Sequence, residues 1–250
     1  MSAERSASPT PVRIAMWSGP RNISTAMMRA FDARGDCAVS DEPLYAHYLQ
    51  ETQLAHPAAQ EVIASQSTDW REVVGSLLGP VPDCRALWYQ KHMSHHLLDG
   101  IDREWILQLR NAFLIRSPRA MLASLARVLD KPTIEDTGLP QQMALFEWLT
   151  QRTGEVPPVI DSEDVLRDPS SVLRALCAHL RIPFTESMLT WAPGPRASDG
   201  VWAQHWYGSV TNSAGFSPWQ AREVQVPSVV APLVGPCEAL FAQLYRHRLR

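Results

Sequence analysis

The octad Ser18-Gly19-Pro20-Arg21-Asn22-Ile23-Ser24-Thr25 brings a turn, a guanidinium and hydroxyls within a few residues of one another. It follows a β-prone run at 12–17 and precedes apolar residues at helical spacing over 24–31. In a strand-turn-helix unit of this kind, free backbone N–H groups and the helix dipole attract an anion. Arg21 adds a planar donor fork, and Ser24 and Thr25 add hydroxyls, so a phosphate or sulfate suits the turn. The blander reading makes Ser24 or Thr25 a helix cap and leaves Arg21 solvated. A nucleoside-triphosphate P-loop would need Gly-Lys-Ser/Thr, with the lysine reaching the β- and γ-phosphates. Only two of the 23 basic residues are lysines, Lys91 followed by His and Lys131 followed by Pro, so no such triplet exists.

Two further groups carry chemistry. Asp41-Glu42-Pro43 closes a β-prone pair at 38–39, where a carboxylate serves as helix cap, as arginine partner or as proton acceptor. Lys91-His92-Met93-Ser94-His95-His96 follows another β-prone run at 85–90 and crowds three histidines, yet no carboxylate or cysteine is interleaved at a ligand spacing, so no metal site is expected. Cys37, Cys84, Cys177 and Cys237 are scattered without a C-x-x-C pair, which reads as reduced thiols buried as small apolar residues. Tyr45, Tyr48, Trp88, Trp148, Trp202 and Trp206 are candidates for the walls of a small-molecule pocket, with core packing the commoner role for any one of them.

The elements that position these residues alternate. Strands are expected at 12–17, near 38–39, and at 85–90, 112–115 and 156–160. Helices are expected at 24–31, 44–50, 58–64, 69–78, 119–128, 139–152, 169–180, 185–191 and 229–246, with a loop over 193–215. Alternation at these lengths predicts an α/β fold, an open parallel sheet with helices on both faces, whose ligand lies beyond the carboxyl ends of the strands.

The chain of 250 residues is read as a disordered lead at 1–11, without the apolar run of a signal peptide, and one domain over 12–250. Hydrophobic residues make up 45%, which excludes general disorder, and a net charge of −3 argues against a dedicated nucleic-acid binder. No run of about 20 apolar residues is apparent, so no membrane partner is expected and the cytoplasm is the expected location.

The first loop, together with Phe113-Leu114-Ile115-Arg116-Ser117-Pro118-Arg119 and Ser124, resembles the sulfotransferases that use 3′-phosphoadenosine 5′-phosphosulfate. Val159-Ile160-Asp161-Ser162-Glu163-Asp164-Val165-Leu166-Arg167-Asp168-Pro169 is similar to that family's strand, turn and helix, and the likeness covers most of 12–192. Segments reading S-G-P-R-N-I-S-T and S-D-E-P-L-Y resemble bacterial members in particular.

The resemblance implies a P-loop-like fold in which Gly19 to Thr25 (Gly19, Pro20, Arg21, Asn22, Ile23, Ser24, Thr25) hold the 5′-phosphosulfate. It implies Arg21 against the transferring group, Arg116 with Ser124 on the 3′-phosphate, and Arg196 from a late loop on the same phosphate. Glu42 is the implied base, with His92 its competitor, and Lys91 is placed near the sulfuryl or bridging oxygen. Ile23 stands where the family commonly has Gly, and a β-branched residue resists positive φ, so a different loop path is expected there. The function implied is transfer of a sulfuryl group to a hydroxyl or amine of a small-molecule acceptor, without a metal. A phosphoryl-transfer enzyme lacking the Walker lysine and a non-catalytic nucleotide-binding scaffold are the competing readings, and the oligomeric state is left open.

Overall fold

The computed structural model describes residues 10–54, 56–221 and 223–250. Of the lead expected over 1–11, residues 1–9 lie outside the described residues. Five strands form one wholly parallel sheet: β1 (Val12–Ser18), β2 (Cys37–Asp41), β3 (Leu87–Met93), β4 (Arg110–Ile115) and β5 (Val159–Asp161), in the order β2-β3-β1-β4-β5. The helices are α1 (Ser24–Asp32), α2 (Tyr45–Thr52), α3 (Ala59–Ser65), α4 (Trp70–Leu78), α5 (Pro118–Leu125), α6 (Leu139–Thr153), α7 (Ser162–Arg167), α8 (Pro169–His179), α9 (Ala203–Trp206), α10 (Gly208–Thr211) and α11 (Val234–Tyr245).

Strand alternation sorts side chains onto two covered faces. Ile14 and Met16 of β1, Tyr89 of β3 and Leu114 of β4 pack with α1 and α8. Their sequence neighbours Ala15, Trp17, Trp88 and Phe113 pack with α4, α6 and α11 on the other side. Burial on both sides is what a parallel sheet requires, and it is why these strands read as apolar runs. The register sets Asp41 beside Lys91, and Ser18 between Met93 and Leu114, so the strand ends converge at one edge.

Several boundaries differ from expectation for local reasons. β5 starts only at Val159, because Pro157 and Pro158 cannot donate to a ladder. The helix expected at 185–191 is one 3₁₀ turn, Glu186–Leu189, and that expected from 229 begins as 3₁₀ through Pro232 before α11. The stretch 162–167 forms the short helix α7, and 193–215 holds the one-turn helices α9 and α10. Asp69 caps α4 through the Arg71 N–H, as its sequence position implies.

All four cysteines are free. Three are buried, but Cys84 is exposed on the turn before β3, so the expectation of a buried thiol is corrected there. The stretch Ser228–Tyr245 is, by length and composition alone, apolar enough to cross a membrane, at 18 residues and mean hydropathy 1.2. From the sequence no such run is expected, because prolines such as Pro232 and Pro236 interrupt the apolar segment. In the fold its Val230 and Cys237 pack with Met121, Leu122 and Leu125 of α5, and Glu238 within it pairs with Arg119 at 3.6 Å.

Candidate functional site

A cavity of about 580 Å³ opens at the carboxyl ends of the strands, where open parallel sheets place ligands. One half of it is the loop between β1 and α1. Gly19 can only be glycine here, since a Cβ would sit 2.4 Å from the Thr137 carbonyl oxygen. Pro20 follows on the cavity wall. Asn22 then holds the turn, donating to the Leu114 carbonyl (3.1 Å) while its Oδ1 accepts from the Ile23 N–H (2.8 Å). Ile23 keeps an ordinary φ of −88°, and the left-handed residue is instead Arg21 at φ 55°. Ile23 therefore does not need positive φ, and the left-handed conformation falls on a residue of the cavity wall. No side chain caps α1, so its first N–H groups, beside Ser24 and Thr25, are free of side-chain acceptors.

Arg21 and Arg116 converge on this loop. Arg21 Nε donates to Ser124 Oγ at 3.0 Å, and Arg116 Nη1 donates to the Arg21 carbonyl. Neither guanidinium has a carboxylate ion-pair partner among the described residues. Burial and then Arg127 lower the Arg21 pKa, and burial and then Arg21 lower that of Arg116, while Asp161 works the other way. Two half-buried cations that repel each other, together with hydroxyls and helix N–H groups, form a site electrostatically short of an anion. Ser124 lies eight residues beyond Arg116, about two turns into α5, and both line the cavity.

The other half of the cavity is built on β2 and β3. Lys91 is 1% exposed, and its ammonium has three partners: Asp41 Oδ1 (2.8 Å), Glu42 Oε1 (2.7 Å) and the Tyr207 hydroxyl (2.6 Å). An ammonium has three protons, so all are committed. Burial works against the Lys91 charge, but Asp41, Glu42 and Tyr207 outweigh it and raise the pKa well above the ordinary value. Burial likewise raises Glu42, with Lys91 opposing it. Glu42 adopts φ 44° just before Pro43, a conformation held by its N–H on the Lys91 carbonyl (3.0 Å) and its carbonyl on the Tyr45 N–H (3.0 Å). Its second oxygen, Oε2, faces His96 Nδ1 across 4.0 Å.

His92 is not part of the cavity. Lys91 and His92 are consecutive in β3 and point to opposite faces, and His92 stacks on Trp17 at 4.4 Å between centroids and contacts Gln90 Oε1 at 3.3 Å. Burial pushes its pKa down to about 3. Arg196 is also elsewhere: it faces Asp32 (3.6 Å) and donates to carbonyls of its own loop. Both expectations are corrected by strand alternation in the one case and a local ion pair in the other. Of the aromatic candidates, Tyr45, Tyr48 and Trp206 line the cavity, whereas Trp88 and Trp202 are core residues bonded to Ser40 and Tyr207, and Trp148 packs on the α6 side.

Three histidines that sequence reasoning left unassigned line the cavity instead. His96 is sandwiched between Tyr45 (4.5 Å) and Tyr48 (4.6 Å), His95 meets Tyr48 edge-on, and His56 bonds the Tyr45 hydroxyl through Nδ1 at 2.7 Å. Burial lowers all three, His95 to about 4, so they are neutral near pH 7. The one signal for His95 and His96 was their place just past the end of a strand. No group of three or more side chains suited to a metal occurs among the described residues.

An open parallel sheet with an anion-seeking β1–α1 loop and a buried carboxylate across the cavity defines a P-loop-like group-transfer fold. The chain matches the family described as Sulfotransferase domain over residues 12–231 and belongs to that family. Among solved structures, the sulfotransferase domain of the Synechococcus PCC 7002 olefin synthase aligns over 100% of both chains with a TM-score of 0.54 at 18% identity. The Alicyclobacillus acidocaldarius sulfotransferase aligns over 97% of this chain and 98% of its own, with a TM-score of 0.50 at 13% identity. Both show a shared fold. Among curated sequences, Branched-chain-amino-acid aminotransferase-like protein 1 of Arabidopsis thaliana is 39% identical over 207 residues, 83% of this chain and 37% of that protein. Its companion protein 2 is 34% identical over 231 residues, 92% and 41% respectively. The chain therefore spans about two fifths of the length of these plant relatives.

Proposed function

We propose that the protein transfers the sulfuryl group of 3′-phosphoadenosine 5′-phosphosulfate to a hydroxyl or amine of a small-molecule acceptor. The observation that carries this reading is the convergence of the unpaired Arg21 and Arg116 guanidiniums with Ser124 on one side of a cavity, opposite Glu42 on the other. The donor residues fit the nucleotide: Ser24, Thr25 and the α1 N-terminus suit its 5′ end, and Arg116 with Ser124 suits a second phosphate.

In the transfer, the S–O bond to the phosphate breaks as the acceptor oxygen or nitrogen bonds to sulfur, and the bisphosphate leaves. Charge grows on the leaving phosphate and on the equatorial oxygens, and Arg21 sits where it offsets that charge. The acceptor gives its proton to Glu42 Oε2, the carboxylate oxygen not held by Lys91. A carboxylate raised by burial is a better base than an exposed one, and the neutral His96 beside it orients the incoming hydroxyl or amine. Lys91 acts by holding Glu42, since its three protons are engaged.

Isothermal titration with adenosine 3′,5′-bisphosphate tests the donor half. Micromolar binding is expected in the unaltered protein, and no heat at millimolar nucleotide would sink the proposal. Magnesium-dependent ATP turnover in its place would favour phosphoryl transfer.

A further inference from the structure

The later part of the 194–215 segment, from Trp206 onward, lines the cavity, and the segment is tied down at two buried points. Arg29 Nη2 meets Asp199 Oδ2 at 2.6 Å, with both side chains almost fully buried. The Tyr207 hydroxyl donates to Asp41 Oδ2 (2.6 Å) and accepts from Lys91 Nζ (2.6 Å) and Trp202 Nε1 (3.1 Å). A phenol has one proton and two lone pairs, so this hydroxyl is saturated. The Gly200 N–H adds a longer contact to Asp41 Oδ2 at 3.3 Å. The same segment supplies Trp206, whose ring lies 5.9 Å from the Arg21 guanidinium and 5.3 Å from the His56 ring.

Asp41 and Glu42 compete for one ammonium. Lys91 Nζ lies 2.8 Å from Asp41 Oδ1 and 2.7 Å from Glu42 Oε1, while Tyr207 donates to the other Asp41 oxygen, Oδ2, so the Asp41 charge is shared between two donors. We propose that Tyr207 is a positioning residue for Glu42: by satisfying Asp41, its hydroxyl keeps the Lys91 ammonium against the Glu42 carboxylate. The segment that walls the cavity thereby also fixes the proton acceptor, and the two are assembled together. This rests on Glu42 being the base of the proposed transfer. The groups facing Glu42 are Lys91 of β3, Asp41 of β2, Tyr45 of α2, His96 after β3 and Tyr207 after α9.

The coupling is readable without nucleotide or acceptor, from the ¹³C carboxyl resonance of Glu42 in glutamate-labelled protein, identified by its loss in Glu42→Gln. In Tyr207→Phe the Asp41 carboxylate loses its donor and claims more of Lys91, so the Glu42 titration moves up by about one pH unit, the size of a lost charge-assisted hydrogen bond. Asp41→Asn removes the competitor, and the titration moves down. A folded Tyr207→Phe protein whose Glu42 titration is unmoved overturns the proposal. Should Tyr207→Phe fold only in a stabilising osmolyte such as sucrose, it is compared with the unaltered protein there, and an unmoved Glu42 titration overturns the proposal equally. A Glu42→Gln protein as active as the unaltered one on an identified acceptor would defeat the base assignment separately, leaving the carboxyl titration as the measure of the Tyr207 linkage.

Discussion

Lys91 and His92 are consecutive in one strand, yet Lys91 lies in the cavity floor and His92 is stacked on Trp17 on the opposite face of the sheet. A strand turns successive side chains through half a circle, so adjacent residues cannot serve one site. His92→Gln is therefore expected to leave the affinity for adenosine 3′,5′-bisphosphate within about twofold while lowering unfolding free energy by roughly 1–3 kcal/mol, the usual cost of disturbing a packed core. Titration calorimetry and urea unfolding read the two effects. A nucleotide affinity lost in a stable His92→Gln protein would put the imidazole back in the site.

Arg116 reaches the donor loop through the Arg21 carbonyl and stands one contact from Ser124. A guanidinium on a phosphate contributes about 2–3 kcal/mol, so Arg116→Ala is expected to weaken bisphosphate binding roughly 30- to 150-fold, and Ser124→Ala less, by about tenfold. Adenosine 5′-monophosphate, which lacks the 3′ group, should bind Arg116→Ala and the unaltered protein alike. If Arg116→Ala weakens both nucleotides equally, Arg116 does not read the 3′-phosphate.

Gly19 tests the loop's geometry apart from its charges. The close approach to the Thr137 carbonyl leaves no room for a methyl group, with 2.4 Å available. Gly19→Ala must push the loop or the 133–138 turn aside, and is expected to lower the urea midpoint by an amount worth roughly 2–3 kcal/mol. Gly75→Ala, where nothing lies within 4 Å, serves as the control and should not destabilise. Equal effects of the two substitutions would show that the approach is relieved at no cost.

Asp161 ends β5 buried, with Oδ1 lacking any partner, and burial, followed by Asp164 and Glu163, pushes its pKa up to about 7 from 3.8. The folded state thus holds a proton that the unfolded chain releases, and stability attributable to this group falls as pH rises from about 3.8 through about 7. Asp161→Asn cannot ionise. Its stability advantage over the unaltered protein is expected to grow across that window, levelling off after a change of roughly 4 kcal/mol by pH 8. Urea unfolding at a series of pH values checks this, and a difference that does not change with pH contradicts it.

Much of the site was legible because its residues sit where strand ends must sit. The loop from Gly19 to Thr25, Glu42 and Arg116 all follow β-prone runs, and a parallel sheet gathers such positions at one edge, while Ser124 comes from about two turns into α5. His92 was misread because a strand boundary from sequence is uncertain by a residue or two, and one residue decides the face. Arg196 was misread because its partner Asp32 lies far away in the chain, a contact that no local pattern encodes. Tyr207 was invisible for the same reason: its role is set by Asp41, 166 residues earlier, and by Lys91. His95 and His96 read from sequence as possible metal ligands, whereas in the fold both are buried and neutral, His96 stacked between Tyr45 and Tyr48 and His95 edge-on to Tyr48.

The proposed transfer requires the Arg21 loop and the Arg116–Ser124 pair together to hold one nucleotide with Glu42 facing its 5′ end. A crystal structure with adenosine 3′,5′-bisphosphate shows whether they do. The expected result is density for the 5′-phosphate at the N–H groups of Ser24 and Thr25, the 3′-phosphate between Arg116 and Ser124, and open space toward Glu42 Oε2. A nucleotide bound elsewhere, or one whose 3′-phosphate points away from Arg116, would contradict the assignment.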